Sequence, residues 1–81
     1  MRIRVKFFAL AKELSGRPTV ELEVPAGAML GGLRPLLAAE IPAISGLAGS
    51  ILFAVDAEYA ADDLPLFEGA LVACILPVSG G

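Results

Sequence analysis

Eighty-one residues, 57% of them hydrophobic and only one of them cysteine, make a single small domain that must close its core without an internal disulfide. So much apolar content excludes disorder, yet no apolar stretch approaches the roughly 20 residues needed to span a bilayer, so a membrane partner is not expected. The net charge of −3 hides an asymmetry: positions 1–34 carry all six basic residues and three acids, positions 35–81 six acids and no base, which excludes the clustered Lys and Arg of a nucleic-acid footprint.

Residues 2–8 alternate, with Ile3, Val5 and Phe7 on one face and Arg2, Arg4 and Lys6 on the other, the pattern of a half-buried strand. The basic start and Ala9-Leu10-Ala11 imitate a signal peptide, but the apolar core from Phe7 to Ala11 is too short and charge resumes at Lys12. With the lone Cys74 this predicts a cytoplasmic protein. Residues 9–14 suit a short helix stopped by Ser15-Gly16-Arg17-Pro18. Thr19 to Val24 forms a second strand, with Val20, Leu22 and Val24 inward and Glu21 and Glu23 outward. Antiparallel pairing of the two strands is expected to set those acids opposite Arg4 and Lys6.

After Pro25-Ala26-Gly27, Leu30, Leu33 and Leu37, widened by Leu36 and Ile41, form the stripe of the main helix. Gly31, Gly32 and Pro35 weaken its start, so a late or irregular beginning near Arg34 is expected. Pro42 to Gly49 reads as a loop, Ile51 to Val55 as a strand, Asp56-Ala57-Glu58 as a turn and Tyr59-Ala60 as a short strand. The last strand, Ala70 to Leu76, is apolar on both faces and therefore central, beside the first. One helix covers one face of a sheet. The other is expected to present Leu71, Ala73 and Ile75, or their counterparts one residue along, beside Arg2, Arg4 and Lys6, a partner-binding surface with an apolar centre and a basic margin. A homodimer through the same face is the competing use.

Val78-Ser79-Gly80-Gly81 close the sequence. Glycine lets backbone approach a ligand closely, so such an end can thread a narrow enzyme channel. An α-carboxyl of pKa roughly 3.3 to 3.7 is ionised at neutral pH and can attack the α-phosphate of a nucleotide, giving an acyl-adenylate open to sulfur or amine nucleophiles. A Gly-Gly end arises by chance in roughly one chain in two hundred, so fraying alone is the weaker account.

Side chains suited to catalysis are scarce, since the sequence has no His, Asn, Gln or Trp. Carboxylates, Ser or Cys74 would have to act without a histidine, and a zinc site would lack nearly all its ligands. An independent enzyme, a metal site and a bound cofactor are not expected. Cys74 reads as a small core hydrophobe rather than a persulfide carrier. The glycines at 27, 31 and 32 lack the spacing of a phosphate loop or dinucleotide fingerprint.

The order strand, strand, helix, strand, short strand, strand, tail resembles the ubiquitin-like β-grasp fold, an α+β architecture with a mixed sheet of about five strands covered on one face by one main helix. Val5-Lys6-Phe7-Phe8-Ala9, Lys12-Glu13-Leu14-Ser15-Gly16, Ala54-Val55-Asp56-Ala57-Glu58-Tyr59, Pro65-Leu66-Phe67-Glu68-Gly69 and Pro77-Val78-Ser79-Gly80-Gly81 are similar to the small subunits of molybdopterin synthases. The resemblance implies a β-grasp domain over 1–76 and a flexible tail over 77–81. It also implies a sulfur carrier: an adenylating enzyme activates Gly81 with ATP, sulfur transfer makes a thiocarboxylate, and the tail enters the large subunit to deliver sulfur to cyclic pyranopterin monophosphate. On that pattern Gly81 bears the sulfur, Gly80 keeps the tail slim, and Pro77, Val78 and Ser79 form its stalk.

The family further implies a heterotetramer with two large subunits. Departures are local: Glu68-Gly69-Ala70-Leu71-Val72 loses two usual acids, Leu76-Pro77 replaces Pro-Pro, and Asp56-Ala57 replaces an Asn-Gly hairpin. Two other readings remain: a protein modifier conjugated through Gly81, or a sulfur carrier for thiamin, tRNA or cysteine synthesis. A binding module with an inert tail is a third.

Overall fold

A computed structural model describes residues 1–77; the predicted tail residues Val78, Ser79, Gly80 and Gly81 lie outside it. Five strands form one mixed sheet in the order β2-β1-β5-β3-β4: β1 Arg2–Ala9, β2 Thr19–Glu23, β3 Leu52–Val55, β4 Glu58–Ala60 and β5 Leu71–Leu76. Helix α1 spans Leu10–Ser15 and α2 spans Leu33–Glu40. β1 and β5 run parallel side by side, and every other pairing is antiparallel.

Alternation decides which face closes. Ile3, Val5 and Phe7 of β1, Phe53 of β3 and Val72 and Cys74 of β5 are at most 1% exposed, and Leu30, Leu33, Leu37 and Ile44 cover them from above. No polar or charged residue is buried among the described residues. The core is held by apolar packing and backbone hydrogen bonds. α1 ends where Gly16 takes a left-handed conformation, φ 70°, and returns its N–H to the Lys12 carbonyl at 3.1 Å.

The irregular start of the main helix is present in a definite form. Leu30–Gly32 makes one 3₁₀ turn and α2 follows from Leu33, which puts Pro35 in the first turn, where a helix has no partner for the N–H that proline lacks. Residues 42–50 differ from the expected loop. They form 3₁₀ helix, Pro42–Ser50, because Pro42 fixes its start and fully buried Ile44 anchors it to the core.

The register of β1 and β2 also departs from expectation. An acid lies opposite Arg4 as expected, but it is Glu21 rather than Glu23; Glu23 lies opposite Arg2, and Lys6 faces Thr19. The pairing slides by two residues from the pattern that would set Lys6 against an acid, and the Met1 and Val24 main chains lock it, the Met1 ammonium donating to the Val24 carbonyl at 2.8 Å. β5 is central, yet only one of its faces is closed: Leu71 is 52% exposed.

Candidate functional site: the open sheet face and the root of the tail

Opposite the helices, the even-numbered residues of β1 and the odd-numbered residues of β5 share an uncovered face. The parallel register sets Arg4 beside Leu71, Lys6 beside Ala73 and Phe8 beside Ile75. Arg4, Lys6, Leu71, Ala73 and Ile75 therefore lie together as expected. β3 and β4 extend the surface with Leu52, Ala54 and Tyr59, because Leu52 pairs with Ile75 and Ala54 with both Ala73 and Tyr59.

Small side chains at the centre shape this surface. Ala54 and Ala73, adjacent across two strands, share the lining of two open depressions of about 270 and 350 Å³ with Phe8 and Ala57. Leu71, Lys6 and Asp56 complete one, Tyr59 and Ile75 the other. Paired alanines between larger neighbours make hollows that a partner's apolar side chain can fill, the arrangement of an interface centre. The contributions of Phe8, Leu52, Ala54 and Tyr59 were not identified from sequence. Phe8 was available from β1 alternation, whereas Ala54 and Tyr59 needed the strand register.

The expected basic margin is largely neutralised. Arg2 pairs with Glu23 at 3.0 Å and Arg4 with Glu21 at 3.2 Å, all four side chains well exposed. Arg2 is raised above its ordinary value mainly by its hydrogen bond to Glu23. Lys6 forms no ion pair among the described residues and instead sets its Nζ over the Phe8 ring, 5.4 Å from the centroid. The face thus offers one uncompensated cation beside its apolar hollows.

The root of the tail lies at one end of this surface. Ala9 is the β1 partner of Leu76, and exposed Pro77 follows two residues after Ile75. Ala9 itself takes φ 54° and ψ −132°, a region that costs an L-residue strain, at the point where β1 turns into α1. Gly80 and Gly81 remain candidates on sequence grounds.

No alternative chemical centre appears among the described residues. Cys74 is fully buried, and that burial pushes its thiol from 9.0 up to about 11, so it stays protonated at neutral pH. No group of three or more His, Cys, Asp or Glu is placed to hold a metal among the described residues. No described helix is long and apolar enough to cross a membrane.

Strand order, parallel central pair and a single helical layer define a ubiquitin-like β-grasp protein with an open face leading to its C-terminal segment. The sequence profile of the ThiS family matches residues 5–81, and the chain belongs to that family. It is similar to the molybdopterin synthase sulfur carrier subunit of Caenorhabditis briggsae, 35% identical with 98% of this chain and 96% of the relative covered. The corresponding subunit of Chlamydomonas reinhardtii is 34% identical, with both chains covered completely. Among solved structures, SAMP1 of Haloferax volcanii superposes with a TM-score of 0.83 at 28% identity over the whole of both chains. Subunits 1 and 2 of the molybdopterin-converting factor of Helicobacter pylori form a complex whose matching chain gives a TM-score of 0.69 at 22% identity, again over the whole of both chains.

Proposed function

We propose that this chain is the sulfur carrier subunit of a molybdopterin synthase, with Gly81 as the atom-bearing end. The observation that carries the reading is the match of nearly the whole chain to a family whose similar members are molybdopterin synthase sulfur carrier subunits. In this reaction the Gly81 carboxylate attacks the α-phosphate of ATP on an adenylating enzyme and expels pyrophosphate, and sulfur at the hydrosulfide level then displaces AMP to leave a thiocarboxylate. The tail presents that sulfur to cyclic pyranopterin monophosphate in the large subunit, and water restores the carboxylate.

This chain supplies no acid, base or metal to that sequence. Its part is to dock and to aim. A large subunit seated on Phe8, Leu71, Ala73 and Ile75 lies next to Pro77, and the four residues beyond Pro77 can reach at most about 14 Å. Docking therefore limits where the glycine can go. A large-subunit partner agrees with the H. pylori complex of the two subunits. We place the assembly in the cytoplasm as a heterotetramer with two large subunits, and assign the requirement for ATP to the adenylating enzyme.

The likeness to SAMP1, a small archaeal modifier protein, favours a second reading in which Gly81 joins lysines of other proteins through an isopeptide bond. The chemistry separates the two. Intact mass spectrometry of the protein isolated with its native activating and sulfur-transfer enzymes is expected to show oxygen replaced by sulfur at Gly81. Exact mass and fragmentation distinguish this from oxidation of Met1, Met29 or Cys74. Gly81 found only in high-mass conjugates would select the modifier reading, and an unmodified Gly81 beside active partner enzymes would reject both.

A further inference from the structure

At the end of the sheet away from the tail, the β3–β4 turn and the loop before β5 enclose an open cleft of about 560 Å³. Its lining combines two chemistries. Tyr59 and Phe67, both in its lining, are 71% and 54% exposed, which leaves aromatic surface in water at the cleft. Asp56, Glu58 and Asp63 rim it. None of the three has an ion pair among the described residues, whereas Glu21, Glu23, Glu40 and Asp62 each meet an arginine. Positions 35–81 contain no Lys or Arg.

Aromatic faces flanked by uncompensated carboxylates match one side chain best. A guanidinium stacks its plane on a ring while its edge donates paired hydrogen bonds to a carboxylate, which an ammonium point charge cannot do together. We infer that this cleft, which adjoins the open face through Asp56 and Tyr59, binds an arginine-bearing segment of a partner protein. Val55 at the turn pairs with Val72, four residues before Leu76, so the cleft and the tail root lie about 13 Å apart along β5. A partner gripping the cleft leaves the tail free to enter an active site. The inference stands on the cleft alone and is independent of the chemistry at Gly81.

The test is an NMR titration of the full ¹⁵N-labelled chain with the peptide acetyl-Arg-Leu-Arg-amide, and with versions carrying Lys or Glu in place of both arginines. Saturable shifts confined to amides of residues 55–67 are expected, about threefold weaker with the Lys peptide and absent with the Glu peptide. The double variant Glu58→Lys, Asp63→Lys is expected to weaken binding at least about tenfold. Phe67→Ala, which removes ring stacking without touching charge, should weaken it about threefold. Retention of a dispersed spectrum in either variant shows that the fold is intact. Shifts centred on Lys6, Leu71 and Ile75, equal response to the Lys peptide, or no saturation at 55–67 would overturn the inference.

Discussion

Asp56 and Ala57 hold the β3–β4 turn with φ of 53° and 65°, a left-handed pair without a glycine. Left-handed backbone costs an L-residue roughly 1–2 kcal/mol, part of which glycine returns through its greater freedom when unfolded. Ala57→Gly is therefore expected to stabilise the domain by about 0.5–1 kcal/mol, read as a melting temperature a few degrees higher. Cys74 makes the opposite point, that a reactive residue type can be disarmed by placement. Iodoacetamide at neutral pH is expected to label the native thiol at the rate of unfolding, and at full speed once denaturant opens the core. Both residues were legible in the sequence, the turn because Asp-Ala stands where a primed hairpin wants glycine, the thiol because a lone cysteine inside an apolar strand is most often a small core hydrophobe.

Between elements, Arg34 ties α2 to two other segments. Its Nη1 donates to the Ala48 and Ile51 carbonyls at 2.7 and 2.8 Å, and its Nε and Nη2 fork onto Asp62 at 3.1 and 2.9 Å. The same guanidinium lies 4.8 Å from the centre of the Phe53 ring. Arg34→Ala is expected to cost about 2–3 kcal/mol in denaturant unfolding, and Arg34→Lys to recover less than half, because a point charge cannot serve four acceptors in one plane. The hydrogen bond from Arg34 holds Asp62 below its ordinary 3.8. A carboxyl lowered on folding adds stability above that ordinary value and loses it as pH falls through the lower folded value. Arg34→Ala should remove this part of the acid sensitivity, visible as a shallower fall of melting temperature below about pH 4.

Gly31 is the counterpart of this clip. A Cβ there would stand 2.7 Å from the Asp62 Cβ, and its N–H donates to the Asp62 carbonyl at 2.9 Å. Gly31→Ala must push the 61–65 loop away, at a cost of about 1–3 kcal/mol on the same unfolding assay. Sequence showed a weak helix start at these glycines but no reason for them. For Gly31 the reason is a loop thirty positions on, and local pattern carries no signal of such a neighbour, whereas a Cβ at Gly32 would meet nothing within 4 Å. The same limit explains the β1–β2 register, where the alternation was plain but the two-residue slide was fixed by Met1 and Val24 main chain.

For the molecule as a whole, the open face ties the fold to its proposed work. Leu71→Arg or Phe8→Asp, both at exposed positions, should leave thermal unfolding nearly unchanged yet weaken capture by the large subunit at least tenfold, measured by titration calorimetry. The fold was legible because strand alternation, the leucine stripe and the doubly apolar β5 agree with one another and with a resemblance running the length of the chain. The central hollow was not, since two alanines become a binding feature only when strand order sets them side by side.

The middle of the sheet joins its first strand in sequence order to its last. β1 cannot find β5 until residues 71–76 have been synthesised, so the long-range pair that builds the core forms after every other strand of the sheet has been made. The centre of the open face is shared between these two strands, with β3 and β4 extending it to one side. Phe8 and Ile75 come side by side only once β5 has paired with β1, so a surface that needs both is absent from any chain that lacks β5.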